Sequence, residues 1–439
     1  MKILVAGTGG REHAIIRRLS QDTQDHELHA SPGNPGMAEH ARLHAIRLDD
    51  HAGMTRLALD LGVDLVVIGP EAPLVAGLAD DLRSAGITVF GPSKAAAELE
   101  GSKDFAKKVM AEAGVPTARS LTIDRADQID AALEDINPGA RTPFVVKDDG
   151  LAAGKGVVVT DSREAAADHA WACLSKPGGR VVLEEFLDGP ELSVFCISDG
   201  RTVVPLVPAQ DFKRAYPGDE GPNTGGMGAY SPLPWLDEAE AMQHTLTRVA
   251  QPTIEAMARR GAPFAGTLFC GLAATADGLR VIEFNARFGD PETQVVLERL
   301  ASDLGPLLYA AATGTLAEHP PLRWKNDAAV TVVLASEGYP LTSRSGDEIT
   351  GLSEATANGC HVIHAGTALE EQGSGNDLAP GTLVSHGGRV LCVVASAPTL
   401  EDARVAAQSS IARIGLAGSH YRPDIAQLAA AGDIAEVAV

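Results

Sequence analysis

Three times near its start the chain repeats one local pattern, a short apolar run that stops at glycine. Residues 2–6 (KILVA) run into Gly7-Thr8-Gly9-Gly10 and then a helical pattern from about Glu12 to Ser20. Residues 64–74 (DLVVIGPEAPL) break at Gly69-Pro70, and residues 87–93 (ITVFGPS) break in the same way. Short apolar runs bounded by turn residues read as buried strands, and repeated strand, loop and helix units place such strands in a parallel sheet. Ligands of these sheets lie beyond the carboxyl ends of the strands, where Gly9, Gly10, Pro70 and Glu71 fall. The first turn is no dinucleotide fingerprint, because the third glycine of that pattern would fall at Glu12. Its N–H groups at a helix N-terminus still suit an anion.

From Ser102 the pattern changes. A helix through Phe105–Ala113 ends at Gly114, and strands at 144–148, 157–160, 181–187 and 192–197 follow in quick succession, an α+β arrangement. Residues 211–232 (DFKRAYPGDEGPNTGGMGAYSP) are polar and glycine-rich, too flexible for a core, and are either a substrate loop or a disordered linker. Helical residues near 237–260 precede paired strands around the turn Asp277-Gly278, and a smaller unit starts beyond about Asn326. Residues 370–377 (EEQGSGND) read as an exposed loop. A length of 439 residues exceeds what one core supports. The expected class is therefore α/β and α+β multidomain: a parallel-sheet substrate-binding domain over 1–101, a central domain over 102–325 with a flap subdomain at about 118–192, and a small α+β domain over 326–439.

With 58 acidic against 36 basic residues and a net charge of −22, the chain has no general nucleic-acid surface, although a local basic cluster can still hold a phosphorylated small molecule. Five widely spaced cysteines in apolar runs read as reduced core thiols. The chain opens on a strand, lacks a signal-peptide layout and has no 18-residue apolar stretch, so a cytoplasmic protein without membrane or nucleic-acid partners is expected.

Gly150-Leu151-Ala152-Ala153-Gly154-Lys155-Gly156 is one residue short of a P-loop and lacks its Ser or Thr. It joins two strands instead, so it is the tip of a hairpin that could fold over a triphosphate through its N–H groups and Lys155, with Lys147 adding a fixed charge. Strand alternation puts Glu283, Asn285 and Arg287 on one face. A carboxylate and an amide oxygen two residues apart suit Mg²⁺, which completes its octahedron with water and phosphate oxygens, and Arg287 could hold a carboxylate or a transferring phosphoryl group. The bland alternative is a solvated strand face carrying a salt bridge.

The motifs GGREHA (9–14), GPEAPL (69–74), SKDFAK (102–107), KDDGLAAGKGV (147–157), EEFLDGPELS (184–193), NTGGMGAYSP (223–232) and VIEFNARFGDPETQ (281–294), in this order, resemble those of phosphoribosylamine–glycine ligases of the ATP-grasp group. HAGT (364–367), GGRV (387–390) and YRPDI (421–425) carry the likeness to the end. The resemblance implies ATP-grasp central domains, the substrates glycine and 5-phosphoribosylamine, ATP with Mg²⁺ or Mn²⁺, and a monomer. Under it Lys103, Lys147 and Lys155 contact nucleotide phosphates beneath a flap containing Gly154 and Gly156. Glu184, Glu185 and Leu187 receive adenine through their backbone, Glu191 meets the ribose, and Glu283 and Asn285 hold the metal. Arg287, Lys147 and Asp290 fall at the reaction centre, and Gly9, Gly10, Glu71, Asp211, Lys213, Asn223, Arg287 and Glu292 line the substrate pocket. Two departures stand out: residues 266–275 carry no extra metal-binding carboxylate, and Asp148 replaces the expected alanine, adding a negative charge beside the phosphate site. The competing readings are an ATP-grasp ligase with another acceptor and a nucleotide binder without catalysis.

Overall fold

The computed structural model describes residues 1–151, 156–357, 359–372 and 378–437. Near the N-terminus the three apolar runs become parallel strands. The sheet order is Arg42–Leu43, Glu27–Pro32, Lys2–Gly7, Leu65–Ile68 and Val89–Phe90, so strands are added to one side of the central strand and then to the other. The glycine turn therefore opens at a topological switch point. Helix Gly10–Leu19 follows at once and is almost wholly buried, because helix Glu292–Arg299 packs across it and Arg18 donates to the carbonyls of Leu300 and Ser302.

Two antiparallel four-stranded sheets follow. The first runs Ser120–Ile123, Val181–Glu184, Phe144–Asp148 and Val157–Thr160, and its own core of Ile129, Leu133, Phe144, Val146, Ala170 and Leu183 is separate from the main one. The second runs Val203–Pro205, Glu191–Asp199, Ala265–Thr275 and Gly278–Asn285. Helix Lys103–Ala113 begins two residues before its expected start, because Ser102 Oγ accepts the Phe105 N–H as an N-cap, and it ends at Gly114 with φ of 66°.

A fourth sheet, of five strands, joins distant parts of the chain. Gln210–Asp211 and Gly228–Ser231 pair onto Ala328–Ala335, which pairs in turn with Arg389–Ala397 and His361–His364. The stretch 211–232 is thus not a disordered linker: Ala215, Met227, Ala229 and Tyr230 are fully buried. Glycine lets this segment lie flat against its neighbour, since a Cβ at Gly228 would sit 2.7 Å from the Thr331 carbonyl oxygen. Of the expected loop at 370–377, residues 373–377 lie outside the described residues, Glu371 and Gln372 are exposed as expected, and Glu370 is buried. All five cysteines are buried and unpaired, as the sequence suggested. Among the described residues no helix is long and apolar enough to cross a membrane.

Candidate active site

The strand Gly278–Asn285 is regular until Val281, opposite Leu272, and resumes with Glu283 opposite Gly271; the extra residue, Ile282, forms a bulge. Bulges re-aim side chains and free backbone groups. Here the Ile282 carbonyl accepts from Lys147 Nζ at 2.9 Å, and Glu283 and Asn285 follow on alternate positions at the strand end. Arg287 lies just past the strand, where Nε meets Glu71 Oε2 at 3.2 Å and Nη2 meets Glu100 Oε1 at 3.0 Å.

Charge alternates around Glu283. Burial alone would raise its pKa, but Lys213, Lys147, Lys103 and Arg287 outweigh that and hold it below the usual range, so the carboxylate is ionised. Such an ionised oxygen and the Asn285 amide oxygen suit a hard cation. Among the described residues no three His, Cys, Asp or Glu side chains form a metal cage, so a cation here would complete its shell from water and phosphate oxygens.

The lysines differ in their bonding. Lys147 is 3% exposed and also meets Glu184 Oε2 at 3.1 Å. Lys103 donates to the Gly150 carbonyl at 2.9 Å, and burial lowers its pKa against the pull of Glu283. Lys107, the last residue of the 102–107 motif and given no role from the sequence, meets the same Glu184 oxygen at 3.0 Å, and burial brings its pKa down to about 8. Its spacing of one helical turn from Lys103 was the available signal. Gly156 is buried with its carbonyl on the Asp148 N–H at 2.7 Å, whereas Gly154 and Lys155 lie outside the described residues.

Asp148 acts on Lys103 through its charge. Strand alternation turns it away from Lys147 toward helix Arg163–Leu174 and its C-terminal flank, where Lys176 Nζ meets it at 2.5 Å. Glu185 spends its N–H on the Arg119 carbonyl and its carboxylate on the Arg119 N–H and Arg280, so its carbonyl is what it can offer a nucleobase. Leu187 is half-buried just beyond.

Glu191 pairs with Lys213, which links the expected ribose group to the expected substrate loop. Burial opposes the Lys213 charge, but Glu191, Asp211 and Glu283 hold its pKa well above the ordinary value. Asp211 is raised by burial, aided by Glu191 and Glu283 and opposed by Lys213. Glu292 accepts from Ser193 Oγ at 3.1 Å; burial first and Asp211 second push it up to about 7. Asn223 pairs with Arg214 in the hairpin that follows Lys213.

At the glycine turn Glu12 folds back, accepting the Gly9 N–H at 2.7 Å and sitting under Gly7 and Gly69. Asp290 approaches from the other side: a Cβ at Gly10 would lie 3.6 Å from its Oδ1 and 2.9 Å from Gln294 Nε2. Burial would raise Asp290, but Arg389 and Arg11 keep it ionised below the usual range. Burial would likewise raise Glu71, and Arg287 and Arg11 hold it down. His13 touches no open space; its Nδ1 accepts the His364 N–H at 2.9 Å, and burial together with His364 lowers its pKa to about 3. Arg11, Glu100 and Arg389 were given no role from the sequence, since each meets a partner far along the chain, nor was Gln294, which donates to Asp290 one helical turn away.

Three stretches match the profiles of one family: Phosphoribosylglycinamide synthetase N domain over 1–100, its ATP-grasp (A) domain over 101–293 and its C domain over 329–428. A phosphoribosylamine–glycine ligase of Streptomyces coelicolor is 58% identical over 98% of this chain and 100% of its own length. A solved phosphoribosylamine–glycine ligase of Thermotoga maritima aligns with a TM-score of 0.81 at 31% identity, covering 97% of this chain and 100% of that one. The biotin carboxylase domain of a Hydrogenobacter thermophilus 2-oxoglutarate carboxylase, solved with MgADP and bicarbonate, has a TM-score of 0.68 at 19% identity, covering 96% and 91% of the two chains, a likeness of fold.

Proposed function

The chain belongs to the phosphoribosylglycinamide synthetase family, and on that membership we propose that it joins glycine to 5-phosphoribosylamine, converting ATP to ADP and phosphate and yielding glycinamide ribonucleotide. The observation that supports this most is the ionised Glu283 ringed by Lys213, Lys147, Lys103 and Arg287, drawn from separate elements to one strand end.

A carboxylate is a poor acyl donor, because oxide would have to leave. Attack of the glycine carboxylate on the γ-phosphorus of ATP releases ADP and makes glycyl phosphate. The phosphoribosylamine nitrogen then attacks the acyl carbon, the carbon–oxygen bond breaks, phosphate leaves and the nitrogen loses a proton. Lys103 and Lys147 offset charge on the nucleotide phosphates, and Arg287, already held by Glu71 and Glu100, orients the glycine carboxylate. Glu283 and Asn285 would hold magnesium or manganese, which supplies Lewis-acid stabilisation of the phosphate oxygens. The Glu185 carbonyl and Leu187 receive adenine, and Glu191 the ribose. Gly9, Gly10, Asp211, Lys213, Asn223, Asp290 and Glu292 line the substrate side. The units 1–101, 102–325 and 326–439 act as a cytoplasmic monomer, with Gly154, Lys155 and Gly156 contributing to nucleotide binding.

Glycine labelled with heavy oxygen in its carboxylate tests the route. One labelled oxygen should appear in each phosphate released; unlabelled phosphate would contradict carboxylate activation.

A further inference from the structure

Lys107 has no part in the mechanism above, yet it is among the most buried charges of the central unit, 8% exposed. Its ammonium meets Glu184 Oε2 at 3.0 Å, Thr117 Oγ1 at 2.9 Å and the Ala118 carbonyl at 3.2 Å. Thr117 and Ala118 accept two of its three hydrogens and Glu184 pairs with its charge, so the ammonium is enclosed by protein groups. Lys147 is held by fewer groups: it donates to the Ile282 carbonyl and is ion-paired with Glu184 Oε2, which leaves donor capacity for a ligand.

One carboxylate oxygen therefore sits between two lysines from different elements. Both lysines are also tied to the strand that ends in Glu283, Lys147 directly through Ile282 and Lys107 through Thr117, whose hydroxyl donates to the Val281 carbonyl at 2.6 Å. Without Lys107, Glu184 would have a single cation, and the Lys147 ammonium would turn more fully onto that carboxylate. Groups that orient a ligand-binding side chain in this way tune binding without touching the ligand.

We propose that Lys107 is a positioning residue: by fixing the Glu184 carboxylate it keeps the Lys147 ammonium directed at the phosphate groups of a nucleoside di- or triphosphate and docks the flap sheet onto the strand bearing Glu283. This rests on the nucleotide-site reading given above.

The test is calorimetric titration of the full chain with ADP and magnesium, with no glycine or phosphoribosylamine present. Wild type, Lys107→Met, Lys147→Met and the double variant complete a cycle. Lys107→Met should weaken ADP about tenfold, and should cause little further loss when Lys147 is already methionine. In turnover its KM for ATP should rise while KM for glycine stays fixed. Equal losses in both backgrounds, or unchanged ADP affinity, overturn the proposal. Should Lys107→Met fail to fold, Thr117→Val takes its place in the cycle, removing one tether of the ammonium, and an affinity equal to wild type then overturns it. Wild type that binds no ADP overturns the nucleotide-site reading, and the proposal with it.

Discussion

Glu283 stays ionised only in company, since its burial would otherwise favour the neutral acid. Glu283→Gln keeps the side-chain shape and removes the charge that Lys103, Lys147 and Lys213 face. It should lower kcat/KM by about 10²–10³, measured as phosphate release across a magnesium titration, and full activity at limiting magnesium would refute the assignment. Glu292 runs the other way, raised from 4.5 to about 7 by burial and by Asp211. The folded state keeps its proton where the unfolded chain has lost it, so its contribution to stability is whole below about pH 4 and fades as pH rises through 7. Glu292→Gln should flatten that part of a plot of Tm against pH; an unaltered slope would show that another group sets it.

At the scale of elements, the glycine turn is built around a side chain. A methyl at Gly69 would stand 1.9 Å from Glu12 Oε1, so Gly69→Ala must displace the carboxylate that caps Gly9. The expected cost is about 1–3 kcal/mol, seen as a lower thermal midpoint together with a higher KM for phosphoribosylamine. Farther along, Arg422 is 1% exposed and clasps the segment 212–219 by holding Asp424, Asp219 and the Arg214 carbonyl while stacking 4.9 Å over Phe212. Arg422→Met should loosen residues 212–219, read as faster hydrogen exchange there, and cost about 1–3 kcal/mol because Asp424 loses its partner. Protection unchanged from wild type would mean the sheet alone holds the loop. These elements also mark what the sequence discloses. The strand, turn and helix of 2–20 was legible because apolar runs and glycines act locally. The extra residue at Ile282 was not, because a bulge is defined only against the facing strand Ala265–Thr275. The ion pair of Asp148 was hidden for a like reason: its partner Lys176 comes from beyond another helix.

In the whole molecule the site is a meeting of units. Gly9 and Gly10 come from the first sheet, Lys147 and Glu184 from the second, Glu283 from the third, and Arg389 on the last sheet holds Asp290. Motif order named most of these residues, yet it could not show that Gly228–Ser231 would leave the central strands and pair with Ala328–Ala335. That pairing spans a hundred residues and leaves no local trace. A polar, glycine-rich string reads as a loop until its distant partner is known. The most direct measurement is phosphate release from ATP with magnesium, glycine and freshly generated phosphoribosylamine, each omitted in turn, with the product mass recorded. Release that needs all four components and yields the mass of glycinamide ribonucleotide is the expected result. Release without phosphoribosylamine, or none with all four present, would contradict it.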